Sequence, residues 1–333
     1  MQDQTIPSKI TFLGILENTD SSICDLKLDK GFKFVKSGDK EFYELFMNRL
    51  EPLGNIQYSS GIFSFFNNTE KSFYLVTNAF EENINQSEII SKMDTRKSLG
   101  LNTCQYMSSV WAGRFGNKLD LRYLHNTIRL MNLFKEGNIG IPLSYYFTIF
   151  ENECVLFERG GGFPTFPIIN NNALFSLDDT EKNELSIFLS ENNDILFSNY
   201  PIGIAFSNFE QSVKTDNIDL AFLSLMICIE VIYSPKTELR NRVSRGVAIL
   251  LGRDRDESIG IYKIMKDLYD KRSSLVHSGK SISENDLLVL RDYARESIKR
   301  LLRIDNNKLL EKLDRFREEI NMCGFGDNPL FRS

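Results

Sequence analysis

Two patterns of apolar and polar residues divide the 333-residue chain. The first half carries short apolar runs rich in Phe, Ile, Val and Tyr, punctuated by Gly, Asn, Asp and Ser, which is typical of β-strands. These runs predict strands at 9–16, 23–35, 56–66, 72–77, 144–150 and 153–158. Apolar residues at helical spacing predict helices over 39–50 and 118–134. Residues 1–160 are therefore predicted to form an α+β N-terminal domain.

The stretch 160–173, GGGFPTFPIINNNA, separates the two patterns. Its three Gly, two Pro and three Asn disfavour any regular element. We therefore expect a domain boundary here, with a linker over 161–175.

Beyond this boundary the apolar spacing is helical throughout. It predicts helices over 179–191, 200–214, 217–232, 237–251, 256–277, 284–303 and 306–321. Capping residues mark several ends: Ser176 or Asp178 and Ser283 suit helix starts, and Gly252 and Gly279 suit helix stops. The second half is predicted to be an all-α helical bundle over 176–305, followed by a C-terminal helix and tail over 306–333.

Composition narrows the function classes. With 42% hydrophobic residues the chain can bury a core, and a net charge of −5 excludes a globally basic nucleic-acid-binding protein, although not a local basic patch. The five cysteines show no C-x-x-C spacing, so we expect no disulfide framework, no metal site and no cofactor. Because there is no signal-peptide pattern and no apolar run of about 18 residues, we expect a cytoplasmic protein with no membrane contact.

One predicted helix carries a charge within its apolar stripe. The stripe on 256–277 consists of Ile261, Met265, Leu268, Arg272 and Leu275. A lone charge in such a place needs a partner, a subunit interface or a ligand. The simpler interpretation is that Arg272 pairs with a buried carboxylate or extends its head group to solvent.

Two further residues of the bundle carry candidate chemistry. Glu230 interrupts the apolar segment 220–233, so its carboxylate is expected to be buried and paired, with Arg272, Arg242 or Arg245 as the partner. His277 follows Arg272 by five residues, which is about 140° of rotation on a straight helix. The helix end at Ser278 and Gly279 can reorient the imidazole, whereas the simpler interpretation makes His277 a cap for the helix dipole.

The bundle also contains two basic runs. Residues 236–255 hold six Lys or Arg against two acidic residues, and 291–303 hold five against two. Basic helices suit a phosphate backbone, whereas the simpler interpretation is a solvated helix face. The candidate RNA-binding residues are Arg240, Arg242, Arg245 and Lys271.

These residues lie in a pattern that resembles a known family. YDKRSSLVHSG, residues 269–279, resembles the R-x4-H signature of HEPN domains, with Arg272 and His277 as its two ends. The flanking segments CIEVIYSPKTELRNRVSRGVAILLG, 228–252, and LLVLRDYARESIKRLL, 287–302, are similar to the Apea-like HEPN group. The resemblance covers about 130 residues, roughly 176–305.

The resemblance implies a helical bundle that forms a homodimer and brings two motifs into one cleft. It implies a metal-independent endoribonuclease that leaves 2′,3′-cyclic phosphate and 5′-hydroxyl ends on RNA, either tRNA or mRNA. His277 would act as general acid or base and Arg272 would bind the scissile phosphate, with Ser273 and Glu230 in supporting positions.

The biological setting that the resemblance implies is an anti-phage, abortive-infection or toxin effector. A phage trigger or an antitoxin is then a possible partner, and the N-terminal domain would sense it or select the substrate. The alternative is a non-catalytic HEPN module that binds RNA, a nucleotide or a protein partner. A purely structural dimerisation domain is the third hypothesis.

Overall fold

A computed structural model describes residues 5–36, 74–85, 119–150, 153–163, 174–193, 200–233, 238–304 and 306–328. These residues form an antiparallel sheet followed by helices, which confirms the predicted order of an α+β part and then a helical part. They divide into two compact units: the first holds residues up to 165 together with 172–190, and the second holds the chain from residue 191.

The first unit is built on a five-stranded sheet. Its strands are β1 (Thr5–Glu17), β2 (Lys33–Lys36), β3 (Tyr74–Asn85), β4 (Gly140–Phe150) and β5 (Glu153–Phe163). Their order is β2-β3-β1-β4-β5, and every neighbouring pair is antiparallel. The central strand β1 buries a continuous apolar run over 12–16, which is typical of a strand covered on both faces.

The strand predicted over 23–35 is wrong in its first part. Residues Ser21–Asp25 form a 3-10 helix, because the carboxylate of Asp20 accepts a hydrogen bond from the Ser22 amide at 2.9 Å. Lys27 then forms an isolated antiparallel bridge with Lys33, and a turn with positive φ at Lys30 and Gly31 precedes β2. The helix predicted over 39–50 and the strand predicted over 56–66 lie outside the described residues.

The glycines at the predicted domain boundary lie within a strand. Gly160 pairs with Ser144 and Gly161 pairs with Leu143, so the expectation of no regular element is wrong for 160–163. Among the described strands β5 lies at the edge of the sheet, and its pairing with β4 holds this glycine-rich segment extended. Residues 164–173 lie outside the described residues.

Among the described residues, two α-helices belong to the same unit as the sheet. Asp120 caps α1 (Leu121–Phe134), and a reciprocal pair of hydrogen bonds between Asp178 and Glu181 caps α2 (Asp179–Asn192). The sequence assigned α2 to the helical domain from 176, whereas the structure groups it up to residue 190 with the sheet.

The second unit is helical in its described parts. Its helices are α3 (Tyr200–Lys214), α4 (Ile218–Tyr233), α5 (Leu239–Leu251), α6 (Arg255–Ser278), α7 (Glu284–Leu302) and α8 (Asn306–Glu319). The predicted bounds differ from these by no more than a residue or two. Apolar residues from all six helices are buried in this unit, including Phe206, Phe222, Val247, Met265, Leu290 and Leu313.

Arginine side chains join the ends of these helices. Arg317 on α8 donates from Nε to the Ile232 carbonyl at 3.0 Å and from Nη2 to the Val231 carbonyl at 2.9 Å, where α4 ends. Arg242 and Arg245 on α5 donate in return to carbonyls at the end of α8. We call these three arginines and the carbonyls they bind the C-terminal clasp. It satisfies carbonyls that have no partner within their own helix.

Candidate functional site

Local sequence signals fix both ends of α6, the helix that carries the R-x4-H segment. The Asp254 carboxylate accepts a hydrogen bond from the Glu257 amide at 2.9 Å and starts the helix. Gly279 adopts a left-handed conformation with φ 65° and donates its N–H to the Leu275 carbonyl at 3.0 Å. The helix therefore ends directly after the candidate residues.

Burial decreases along α6 towards the motif. Ile261, Met265 and Leu268 are buried, as their stripe predicts. The side chain of Arg272 keeps 31% of its surface exposed, and Val276 is exposed. The C-terminal end of α6 consequently presents the motif at the surface of the helical unit.

Arg272 is held by a carboxylate and an aromatic ring. Its Nη2 lies 3.8 Å from Oε1 of Glu230 on α4, which makes an ion pair too long for a hydrogen bond. Its Cζ lies 5.8 Å from the centre of the Tyr269 ring. Its Nε is buried and donates to no described residue. Glu230 thus lies beside one of the three partners that the sequence left open, and most of the guanidinium's hydrogen-bonding capacity remains unused.

Tyr269 is the residue of this cluster that sequence reasoning missed. Its hydroxyl donates to Oε1 of Glu230 at 3.0 Å. Burial raises the pKa of Tyr269 to about 12, and the Glu230 carboxylate contributes to the rise, so the hydroxyl stays protonated at neutral pH. The available signal was its spacing, since residues three apart on a helix lie on one side.

His277 lies in the last turn of α6, which continues to Ser278. Arg272 and His277 are separated by about 140° of rotation and a rise of about 7.5 Å. His277 is exposed and makes no hydrogen bond or ion pair with any described residue.

The other predicted site residues fall into two groups. Ser273 is exposed and makes no hydrogen bond within the described part of the chain. Arg240 forms an ion pair with Asp270. Lys271 forms ion pairs with both Asp267 and Asp286, at 2.7 Å in each case. Arg240 and Lys271 remain partly exposed, whereas Arg242 and Arg245 donate to carbonyls of the C-terminal clasp.

An exposed apolar surface adjoins this cluster. The α4 apolar face consists of Leu220, Leu223, Ile227 and Val231. Leu220 is 55% and Ile227 46% exposed. Glu230 follows Leu223 by seven residues, two turns along the same side of α4, so the face borders the Glu230–Arg272 pair. A helix that is apolar on nearly all sides is normally covered on all sides. In the single chain, α4 keeps Leu220 and Ile227 exposed.

Across the described ranges, no three His, Cys, Asp or Glu side chains cluster as a metal site would require, and no helix is long and apolar enough to cross a membrane. The chain matches no protein-family model, and neither a curated protein nor a solved structure is significantly similar to it.

Proposed function

We propose that the chain is a HEPN-type endoribonuclease in which Arg272 and His277 carry the reaction without a metal ion. The observation that carries the proposal is that Arg272 and His277, at the exposed end of α6, make few contacts with the rest of the described chain. Arg272 has no hydrogen bond to its carboxylate neighbour, and His277 has no partner among the described residues. A guanidinium with unused donors suits a phosphate, and an exposed histidine side chain is the group most often used as a general acid or base.

In the proposed reaction the 2′-hydroxyl of RNA is the nucleophile. An imidazole removes its proton, the 2′-oxygen attacks the adjacent phosphorus, and the bond from phosphorus to the 5′-oxygen breaks. A second imidazole gives a proton to the departing 5′-oxygen. The products are a 2′,3′-cyclic phosphate and a 5′-hydroxyl, while Arg272 stabilises the charge on the phosphate oxygens.

Two imidazoles require two copies of the chain, because only His277 lies in the motif. We place the second copy on the α4 apolar face, where burial of Leu220 and Ile227 would remove exposed apolar surface from water. A twofold arrangement there would bring both Glu230–Arg272 pairs towards one cleft. In this arrangement Arg272 of one copy acts together with His277 of the other copy. The two residues therefore need not lie close together on one helix.

The proposed RNA contacts beside the cleft are Arg240 and Lys271. Asp270, the partner of Arg240, and Asp267, one partner of Lys271, are exposed carboxylates, and surface ion pairs of this kind contribute only about 0–1 kcal/mol, so a phosphate can displace them. The second partner of Lys271, Asp286, is more buried, with 17% of its side chain exposed. Arg242 and Arg245 are left out, because their guanidinium groups are committed to the C-terminal clasp.

A non-catalytic module that binds RNA, a nucleotide or a protein partner is the second candidate. The observation that favours it is the ion pair between Arg272 and Glu230, which neutralises the cation that catalysis needs. In either case we propose a cytoplasmic role in anti-phage defence or as a toxin. The first unit would then sense a phage trigger, bind an antitoxin or select the RNA.

The test compares wild type with His277→Ala and Arg272→Ala on total bacterial RNA, with and without EDTA. His125→Ala removes the other histidine of the sequence and is the matched control. We expect each motif variant to lose at least about 100-fold in cleavage rate, the control to keep full activity, and EDTA to have no effect. Product ends are identified by adapter ligation, which should require removal of the phosphate from the 3′ ends and phosphorylation of the 5′-hydroxyl ends.

The dimer is tested with the same preparations. Sedimentation equilibrium should show two copies for wild type and one for Ile227→Glu, which should also lose cleavage. Leu310→Glu, at an exposed leucine on α8, should change neither property. Equal cleavage by wild type and His277→Ala would contradict the enzyme, and tight RNA binding by both without cleavage would favour the binding module. Expression in a host under phage challenge then tests the defence role by growth and RNA integrity.

A further inference from the structure

We propose that Tyr269 positions Arg272 through Glu230, by occupying the carboxylate oxygen that would otherwise hold the guanidinium in a short hydrogen bond. This inference rests on the proposed function, in which Arg272 must be available to an RNA phosphate. Tyr269 is therefore a positioning residue, which contacts neither RNA nor the reacting atoms.

The geometry shows two donors directed at one oxygen. Oε1 of Glu230 lies 3.0 Å from the Tyr269 hydroxyl and 3.8 Å from Nη2 of Arg272. A guanidinium that donates to a carboxylate normally lies about 2.7–2.9 Å from it. The hydroxyl makes the short contact with Oε1, and the guanidinium lies about one ångström beyond the usual distance for such a hydrogen bond.

Tyr269 also fixes the guanidinium from a second direction. Its buried ring lies below Cζ of Arg272, within the range of a cation–π contact. Because Tyr269 and Arg272 are three residues apart on a regular helix, both contacts come from the same side chain. Arg272 is consequently held in place by contacts that leave its donors free.

Loss of the hydroxyl should alter this balance. In Tyr269→Phe the ring remains, but Oε1 of Glu230 loses its hydrogen bond and Arg272 becomes the nearest donor. The ion pair should shorten, since the carboxylate exchanges a hydrogen bond from a neutral hydroxyl for a stronger, charge-assisted one. The guanidinium would then be less available to phosphate. Glu230→Gln removes the negative charge that attracts the Arg272 guanidinium, so the guanidinium should become more available to phosphate.

The first measurement is the rate at which phenylglyoxal modifies Arg272 in the full chain, followed by mass spectrometry of its peptide. We expect Tyr269→Phe to slow the modification severalfold and Glu230→Gln to accelerate it. The double variant Tyr269→Phe/Glu230→Gln should be no slower than Glu230→Gln alone. Tyr262→Phe is the matched control, because Tyr262 lies on the same helix and its hydroxyl donates to Asn241 instead. It should react like wild type.

The second measurement is kcat/KM for RNA cleavage by the same variants. A severalfold loss in Tyr269→Phe, regained in the double variant, supports positioning, because damage to the fold would not be repaired by a second substitution. An unchanged modification rate in Tyr269→Phe overturns the inference, whether or not RNA is cleaved. Altered modification without cleavage by any variant supports the positioning and overturns the proposed function. If Tyr269→Phe fails to fold, Glu230→Gln alone decides, since unchanged modification in that variant also overturns the inference.

Discussion

The C-terminal clasp and the motif end of α6 use the same side chain in opposite ways. In the clasp, Arg317 donates to two carbonyls and to Asp314, so its hydrogen bonds hold α8 against α4. At the motif end, Arg272 touches one carboxylate at 3.8 Å and donates no hydrogen bond to a described residue. Both arginines belong to the same helical unit. What separates a structural arginine from a candidate functional one here is the use of its donors.

The largest effect on stability is expected from Arg317→Ala. The substitution leaves the Val231 and Ile232 carbonyls at the end of α4 without their partner and removes the link to α8. A buried carbonyl without a partner costs about 1–3 kcal/mol, and these two are partly buried, so the free energy of unfolding should fall by about 1–3 kcal/mol in total. Thermal or urea unfolding followed by circular dichroism measures the change.

Two matched variants make this comparison decisive. Lys312→Ala lies on the exposed side of the same helix and should change the free energy of unfolding by less than about 0.5 kcal/mol. Arg272→Ala should also cost less than about 1 kcal/mol, because it removes a loose, partly exposed ion pair. If Arg272→Ala destabilised the chain as much as Arg317→Ala, Arg272 would be a structural residue and the comparison would fail.

The next largest effect on stability is expected at Gly246, which follows Arg245 of the C-terminal clasp on α5. A Cβ at this position would approach Cδ1 of Tyr233 to 2.4 Å and Cδ1 of Ile320 to 2.6 Å. The Tyr233 ring has little freedom to move, because it is buried and its hydroxyl is hydrogen-bonded to Ser297. Gly246→Ala should therefore destabilise the protein by about 1–3 kcal/mol in urea unfolding.

Gly260→Ala is the control for that substitution. Gly260 lies on α6, and no atom comes within 4 Å of the position its Cβ would take. Alanine is the better helix former, so the free energy of unfolding should rise by up to about 1 kcal/mol. If both substitutions raised the free energy of unfolding, the surroundings of Gly246 would not be tightly packed.

The helices of the second unit could be predicted because their signals are local. The stripe that includes Met265 and Leu268 gives the period of α6, and Asp254 and Gly279 give its ends. The 3-10 helix at Ser21–Asp25 was missed because one aspartate side chain there outweighs the apolar pattern.

The candidate site was predicted only in part, because charge in a sequence does not say where a guanidinium donates. Arg242 and Arg245 lie in a basic run, yet their partners are carbonyls at the end of α8 and just beyond it, about 75 residues later in the chain. The pairing of Glu230 with Tyr269 also depends on how α4 packs against α6. Such contacts depend on tertiary packing, which residue spacing alone cannot supply.

The smallest effect belongs to the link between the motif end of α6 and the start of α7. Lys271 donates to Asp286 at 2.7 Å, and the Ser283 hydroxyl donates to the other oxygen of the same carboxylate at 2.6 Å. Burial alone raises the pKa of Asp286, but these hydrogen bonds outweigh it and hold the pKa below its ordinary value. The ionised carboxylate is thus favoured in the folded state, and its contribution to stability depends on pH.

Asp286→Asn should therefore lower the free energy of unfolding by less than about 1 kcal/mol, and only where the carboxylate is charged. The difference from wild type should be fully present above the ordinary pKa of about 3.9, and it should be lost progressively as the pH falls from there through the lower pKa of the folded state. Urea unfolding at several values between pH 3 and 7 measures it, with Asp216→Asn, at an exposed residue between α3 and α4, as the control. A difference that stays constant down to pH 3 would instead assign the effect to the shape of the side chain. The motif end would then be held without the charge of Lys271, which would leave that lysine free for the RNA contact proposed for it.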